Sequence, residues 1–157
     1  MKPRVQVLIA DDRPISRNGL RALLGTLPDI TVVGEAADGR EAVQLVEELE
    51  PDVVLMDVCM PVLDGLAATQ IIKKRWPHIK VVVLTMYALP EQEVMAAGAD
   101  AFLIKGCPSS ELFSAIQCTG SSERNPATSS GRTQSDAPPA KGVDYRQNRL
   151  LTAALTS

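Results

Sequence analysis

The chain has 157 residues, of which 45% are hydrophobic, 22% charged and only 3% aromatic, which excludes large multidomain machinery and implies one ordinary domain around an aliphatic core. The net charge of −3 is unevenly spread: residues 1–118 carry eleven Lys and Arg against sixteen Asp and Glu, and residues 119–157 carry five against three. An acidic folded part argues against nonspecific binding of a nucleic-acid backbone, which needs clustered positive charge to displace counterions, and suits a domain that meets cations or proteins.

Residues 5–10 (VQVLIA) form a short aliphatic run expected to be a strand buried on both faces. Leu20, Leu23, Leu24 and Leu27 follow at helical spacing. TVVGEAA at 31–37 is a weaker strand, suited to a sheet edge, and Ala42, Leu45, Val46 and Leu49 repeat the helical spacing. A third strand is expected at 53–56 (VVLM). The next helix starts near Asp64, carries Ala68, Ile71 and Ile72 and stops before Pro77. Strands at 81–84 (VVVL) and 101–104 (AFLI) complete the set, and a last helix with Leu112, Ala115 and Ile116 can be capped by Ser109 or Ser110. Such alternation predicts right-handed crossovers and an α/β three-layer sandwich with a parallel sheet.

From Thr119 the composition turns to Ser, Thr, Gly, Pro, Asn, Gln and Ala, so residues 119–157 read as a disordered low-complexity tail. The N-terminal apolar stretch is too short for a secretory signal, and no run of about 18 apolar residues is present. A cytoplasmic protein without membrane contact is expected. Cys59, Cys107 and Cys118 make an odd number with no CxxC pair, so reduced thiols are expected and no structural zinc site.

Strand one runs into Asp11 and Asp12, strand three into Asp57, strand four into Thr85 and strand five into Lys105. Parallel strands present their carboxyl ends on one side, so these five side chains converge on a single crevice. Three carboxylates about 5 Å apart repel by on the order of 3 kcal/mol per pair at an effective dielectric near 20. One lysine cannot offset all three pairs. Either a proton stays bound or a divalent cation enters, and oxygen donors of this hardness favour Mg2+ over zinc. Asp57 is the candidate nucleophile toward phosphorus, forming an acyl phosphate. Asp12 and Asp11 would serve the metal, the backbone carbonyl of Cys59 could add an oxygen, Lys105 would neutralise phosphoryl charge and Thr85 would hydrogen-bond a phosphoryl oxygen.

The segments IADDRP, VLMDVCMPVLDG, VVVLT and AGADAFLIKG together resemble the receiver domain of two-component response regulators, nearest to receivers that precede a LuxR-type helix-turn-helix. The resemblance covers residues 4 to 118 and implies a flavodoxin-like (βα)5 fold with strand order 2-1-3-4-5. It implies that Asp57 accepts a phosphoryl group from a sensor histidine kinase with Mg2+, and that Thr85 and Phe102 are the switch pair. Such a domain modifies itself without turning over a metabolite. The resemblance also makes helix 4, strand 5 and helix 5 a homodimer face.

Only fifteen residues, Met86 to Asp100, join strands four and five, fewer than similar receivers have, so the fourth helix is expected to be trimmed and the dimer face weakened. The tail, 39 low-complexity residues, is too short for a complete DNA-binding domain, so no direct DNA binding is expected of this chain. Two other readings therefore stand beside the first: a binding module that needs no phosphorylation, or the truncated receiver half of a LuxR-type regulator. Independent enzymes fit poorly. Asp-Asp-Arg-Pro stands where a dinucleotide fold needs glycines, no GxxxxGK[ST] loop occurs, Cys59 occupies the place of a second phosphatase aspartate, and His78 is alone. Plainer roles are helix capping for Asp11 and Asp12, strand formation for Thr85, solvation for Lys105, core packing for Phe102 and inert filling for Cys59.

Overall fold

The computed structural model describes residues 4–117. Ten elements alternate along them: β1 (Val5–Ala10), α1 (Pro14–Gly25), β2 (Ile30–Ala36), α2 (Gly39–Leu49), β3 (Val53–Asp57), α3 (Gly65–Arg75), β4 (Lys80–Thr85), α4 (Glu91–Ala96), β5 (Ala101–Ile104) and α5 (Ser109–Gln117). The tail expected at 119–157 and Cys118 lie outside the described residues.

All strand pairings are parallel, and the sheet order is β2-β1-β3-β4-β5. The unbroken aliphatic runs occupy the centre for a physical reason: β1, β3 and β4 have neighbours on both sides and helices on both faces, so alternation with polar residues would bury polar groups. Val7, Ile9, Val53, Leu55, Val82 and Leu84 pack with Leu24 of α1 and with Leu112 and Ile116 of α5. The intervening residues point to the opposite face. There Leu8 lies beside Gly34 together with Leu45 and Leu49 of α2, and Val54, Met56, Val81 and Val83 are fully buried.

Local signals set most boundaries. Asp38 accepts from the Glu41 amide at 2.8 Å to cap α2, and Asp64 accepts from the Ala67 amide at 2.9 Å to cap α3. Two expectations shift. Leu27 lies beyond α1, which closes at Thr26 with its hydroxyl on the Leu23 carbonyl at 2.7 Å. Neither Ser109 nor Ser110 caps α5: the helix begins at Ser109 itself, and the Pro108 carbonyl accepts from the Glu111 and Leu112 amides. Proline there presets the backbone for the first turn.

The crossover from β4 to β5 is short, as its length requires. Of its helix, α4, six residues form, with Val94 as the buried one, and Gly98 at φ +94 turns the chain back toward β5. Lys73 at the end of α3 fastens this return, donating to Asp100 and to the carbonyls of Pro77 and Ile79, each at 2.9 Å.

Candidate functional site

Registry brings the polar strand ends together. Ala10 pairs with Met56, Asp57 with Leu84 and Thr85 with Ile104, so the residue that follows or ends each strand emerges at one rim. The Asp11 amide continues the ladder to Ala36 at 3.0 Å, and the Lys105 amide continues it to Thr85 at 2.8 Å. Residues from four distant parts of the chain thus meet where β1, β3, β4 and β5 end.

Carboxylate oxygens of Asp11, Asp12 and Asp57 all lie within 4.8 Å of one another. Asp11 is 1% exposed and Asp57 6%, while Asp12 is the more open of the three. Lys105 sits between the two buried acids, with Nζ at 2.5 Å from Asp11 Oδ2 and 3.4 Å from Asp57 Oδ2. Its side chain is 14% exposed, which sets aside a merely solvated charge.

The two buried acids titrate in opposite directions. Burial pushes the Asp57 carboxyl up to about 6; the Lys105 charge opposes the rise, and the charges of Asp11 and Asp12 add to it. Burial also acts upward on Asp11. There, hydrogen bonds from Lys105, Ser16 and the Arg13 amide outweigh it and hold the carboxyl below its usual value. Asp11 is no helix cap either: the cap position of α1 is Arg13, whose side chain makes no capping bond.

Thr85 is 1% exposed, and its hydroxyl accepts from the Tyr87 amide at 3.1 Å. In this state it is engaged by its own loop. Phe102 stands across from Val83 on β5 and is half-buried. Cys59 is exposed, two residues beyond Asp57. Asp57, Asp11, Asp12 and Lys105 therefore form one contact group, with Thr85 at the adjoining strand end; Cys59 follows in the loop after Asp57, and Phe102 lies on β5 three residues before Lys105.

The loop after Asp57 is shaped by a glycine. A Cβ on Gly65 would stand 1.9 Å from the Asp57 carbonyl oxygen and 2.9 Å from Val58 Cα, and the Gly65 amide donates to the Val58 carbonyl at 2.9 Å. The start of α3 is thereby pressed onto the backbone of β3's last residue. Between them Val62, 72% exposed, takes a φ of 68, uncommon for a β-branched residue.

Sequence reasoning missed Ser16. Its hydroxyl donates to Asp11 Oδ2 at 2.6 Å and lies 3.4 Å from Lys105 Nζ. The available signal was its spacing: five residues after Asp11 and one turn into a helix opened by Pro14, a side chain points back toward the strand end. Arg17 was missed too; its guanidinium donates to the Asp11 carbonyl at 2.5 Å.

Three carboxylates, a buried ammonium and hydroxyls at one rim suit a hard divalent cation and a phosphoryl group. Comparison with known proteins points the same way. The response regulator receiver domain family matches residues 7–117. The chain is 40% identical over 122 residues to the response regulator protein VraR of Staphylococcus saprophyticus, covering 76% of this chain and 58% of that protein. It is 42% identical over 118 residues to the uncharacterized transcriptional regulatory protein YhcZ of Bacillus subtilis, covering 74% and 55%. The chain thus spans a little over half the length of these curated relatives. Among solved structures, the signal receiver domain of NarL from Mycobacterium tuberculosis is similar with a TM-score of 0.69 at 30% identity, over 73% of this chain and 94% of that one. On the family match and these identities, the chain belongs to the receiver domain family of two-component response regulators, the domains of phosphorelay signalling.

Proposed function

We propose that this chain accepts a phosphoryl group on Asp57 from the phosphohistidine of a sensor histidine kinase, with Mg2+ in the acidic pocket, and passes on the resulting change of shape. The observation that carries the reading is the placing of Asp57 within 4.8 Å of two further carboxylates and 3.4 Å from the Lys105 ammonium.

The donor set fits Mg2+: Asp11, Asp12 and Asp57 offer oxygen ligands, with the Cys59 carbonyl a further candidate. When bound, the ion neutralises phosphoryl charge and orients the incoming group. An ionised Asp57 oxygen attacks phosphorus, the phosphorus–nitrogen bond of the donor breaks, and the departing imidazole takes the electron pair. Asp57 then carries an acyl phosphate. Lys105 turns from the carboxylates to the new phosphoryl oxygens, where its charge counts most.

Thr85 releases its loop and donates its hydroxyl to a phosphoryl oxygen, and Phe102 repacks beside it. Met86, Tyr87, Met95 and Ile104, all exposed, belong to the β4–α4 loop, α4 and β5, and form the surface on which that change is displayed. The domain occupies residues 1–118 and acts on itself, with no metabolite turned over. Among the described residues no helix is long and apolar enough to cross a membrane.

Incubation with Mg2+ and acetyl phosphate, followed by intact mass, tests the reading. One added phosphoryl group in the unmodified chain and none in Asp57→Asn is expected. No labelling of the unmodified chain, or labelling that persists in Asp57→Asn, would overturn it.

A further inference from the structure

Asp11 is buried, and three donors reach its carboxylate. Oδ1 accepts from the Arg13 amide at 2.9 Å; Oδ2 accepts from Ser16 Oγ at 2.6 Å and from Lys105 Nζ at 2.5 Å. A carboxylate has about four lone-pair positions, so about one is left for a cation. The rotamer of Asp11 is held at both oxygens, which decides where that last position points.

Two of these three donors have little reach: the Arg13 amide is backbone, and Ser16 Oγ stands one bond from Cβ on the first turn of α1. Lys105 is the mobile one. When its ammonium moves to a phosphoryl group, Oδ2 loses a charged donor at a site only 1% exposed, where water is a poor replacement. Ser16 is then the donor that still holds Oδ2. Its own oxygen lies 3.4 Å from Nζ, so it also faces the lysine.

We propose that Ser16 is a positioning residue of the phospho-acceptor pocket, keeping the Asp11 carboxylate turned toward the cation both while Lys105 donates to it and after Lys105 leaves. The inference rests on the receiver reading above and adds to it a residue on α1 outside the strand-end set. Ser16 is half-buried and lines an open groove of about 270 Å³ between α1 and α5 together with Lys105, Gly106 and Cys107. Loss of its hydroxyl at an open edge leaves no closed cavity, so the fold tolerates alanine there.

The test uses the full chain as wild type, Ser16→Ala and Ser16→Thr. Mg2+ binding is read by titration calorimetry, and Asp57 labelling by acetyl phosphate is read by intact mass over a series of Mg2+ concentrations. Ser16→Ala should weaken Mg2+ binding about tenfold, the lower end of what loss of an outer partner costs a metal site. The Mg2+ concentration for half-maximal labelling should rise by the same factor, with a smaller change at saturating Mg2+. Ser16→Thr should restore both, and the thermal midpoint should stay that of the wild type. Wild-type Mg2+ affinity in Ser16→Ala overturns the inference alone, and so does equal loss in both variants with a lowered midpoint, which assigns a packing role. A wild-type chain that neither binds Mg2+ nor is labelled overturns the receiver reading as well.

Discussion

Lys105 lies closer to Asp11 than to Asp57: its ammonium is 2.5 Å from Asp11 Oδ2 and 3.4 Å from Asp57 Oδ2. The lysine's main partner is therefore Asp11, and the Asp57 carboxylate is only partly neutralised. Burial drives Asp57 up and the more distant ammonium opposes it only in part, whereas hydrogen bonds from Lys105, Ser16 and the Arg13 amide outweigh burial at Asp11 and hold it low.

Removing Lys105 should leave two buried carboxylates without a counter-charge. Lys105→Met is expected to lower stability in metal-free buffer by about 3 kcal/mol, the cost of breaking a buried pair from one side. Mg2+ should stabilise the variant more than the wild type. Urea unfolding with and without Mg2+ measures both effects. A variant as stable as the wild type in chelator would contradict the buried-charge account.

The raised Asp57 carboxyl sets a pH window. Its ordinary value is 3.8 and its folded value about 6, so between them the folded chain holds more of this proton than the unfolded chain does. Stability from this group is full below about pH 4 and is lost as pH rises through about 6, by on the order of 3 kcal/mol. Asp11 has the opposite sign, and its contribution is lost only as pH falls below the usual carboxylate range. Asp57→Asn should therefore be more stable than wild type at pH 7 without metal, and the difference should shrink toward pH 4. Thermal midpoints of the two proteins across that range decide it; a constant difference speaks against the shift.

Gly65 and Gly19 form a contrasted pair. A Cβ at Gly65 would collide with the Asp57 carbonyl oxygen at 1.9 Å, whereas at Gly19, inside α1, nothing lies within 4 Å. Gly65→Ala is expected to displace the loop after Asp57, lowering the unfolding midpoint and, on the proposed function, Asp57 labelling. Gly19→Ala should raise stability by about 0.5–1 kcal/mol through helix propensity. Equal behaviour of the two variants would refute the close-approach explanation.

The short α4 should open easily. It has six residues, no side-chain cap bond and Val94 as its buried residue, too few contacts to hold a helix that is marginal by itself. Amide hydrogen exchange is expected to be faster across residues 91–96 than in α3, and to slow on phosphorylation of Asp57 if this element carries the output. Equal protection of α3 and α4 in the unmodified chain would count against it.

Much of this protein was determined by the order of its residues. Aliphatic runs at 5–10, 53–56 and 81–84 required strands covered on both faces, and Asp57, Asp11, Asp12, Thr85 and Lys105 were legible because a parallel sheet sends all its carboxyl ends to one rim. The fifteen residues from Met86 to Asp100 likewise foretold a short α4, since rise per residue limits what a brief crossover can hold. What the tertiary structure decided was the sharing of one lysine between two acids, the approach of Gly65 to the Asp57 backbone, and the hydroxyl of Ser16 beside Asp11. Each depends on how closely atoms on different elements approach one another. Periodicity and propensity describe a residue's own element and face, and only packing of the whole sheet sets those distances.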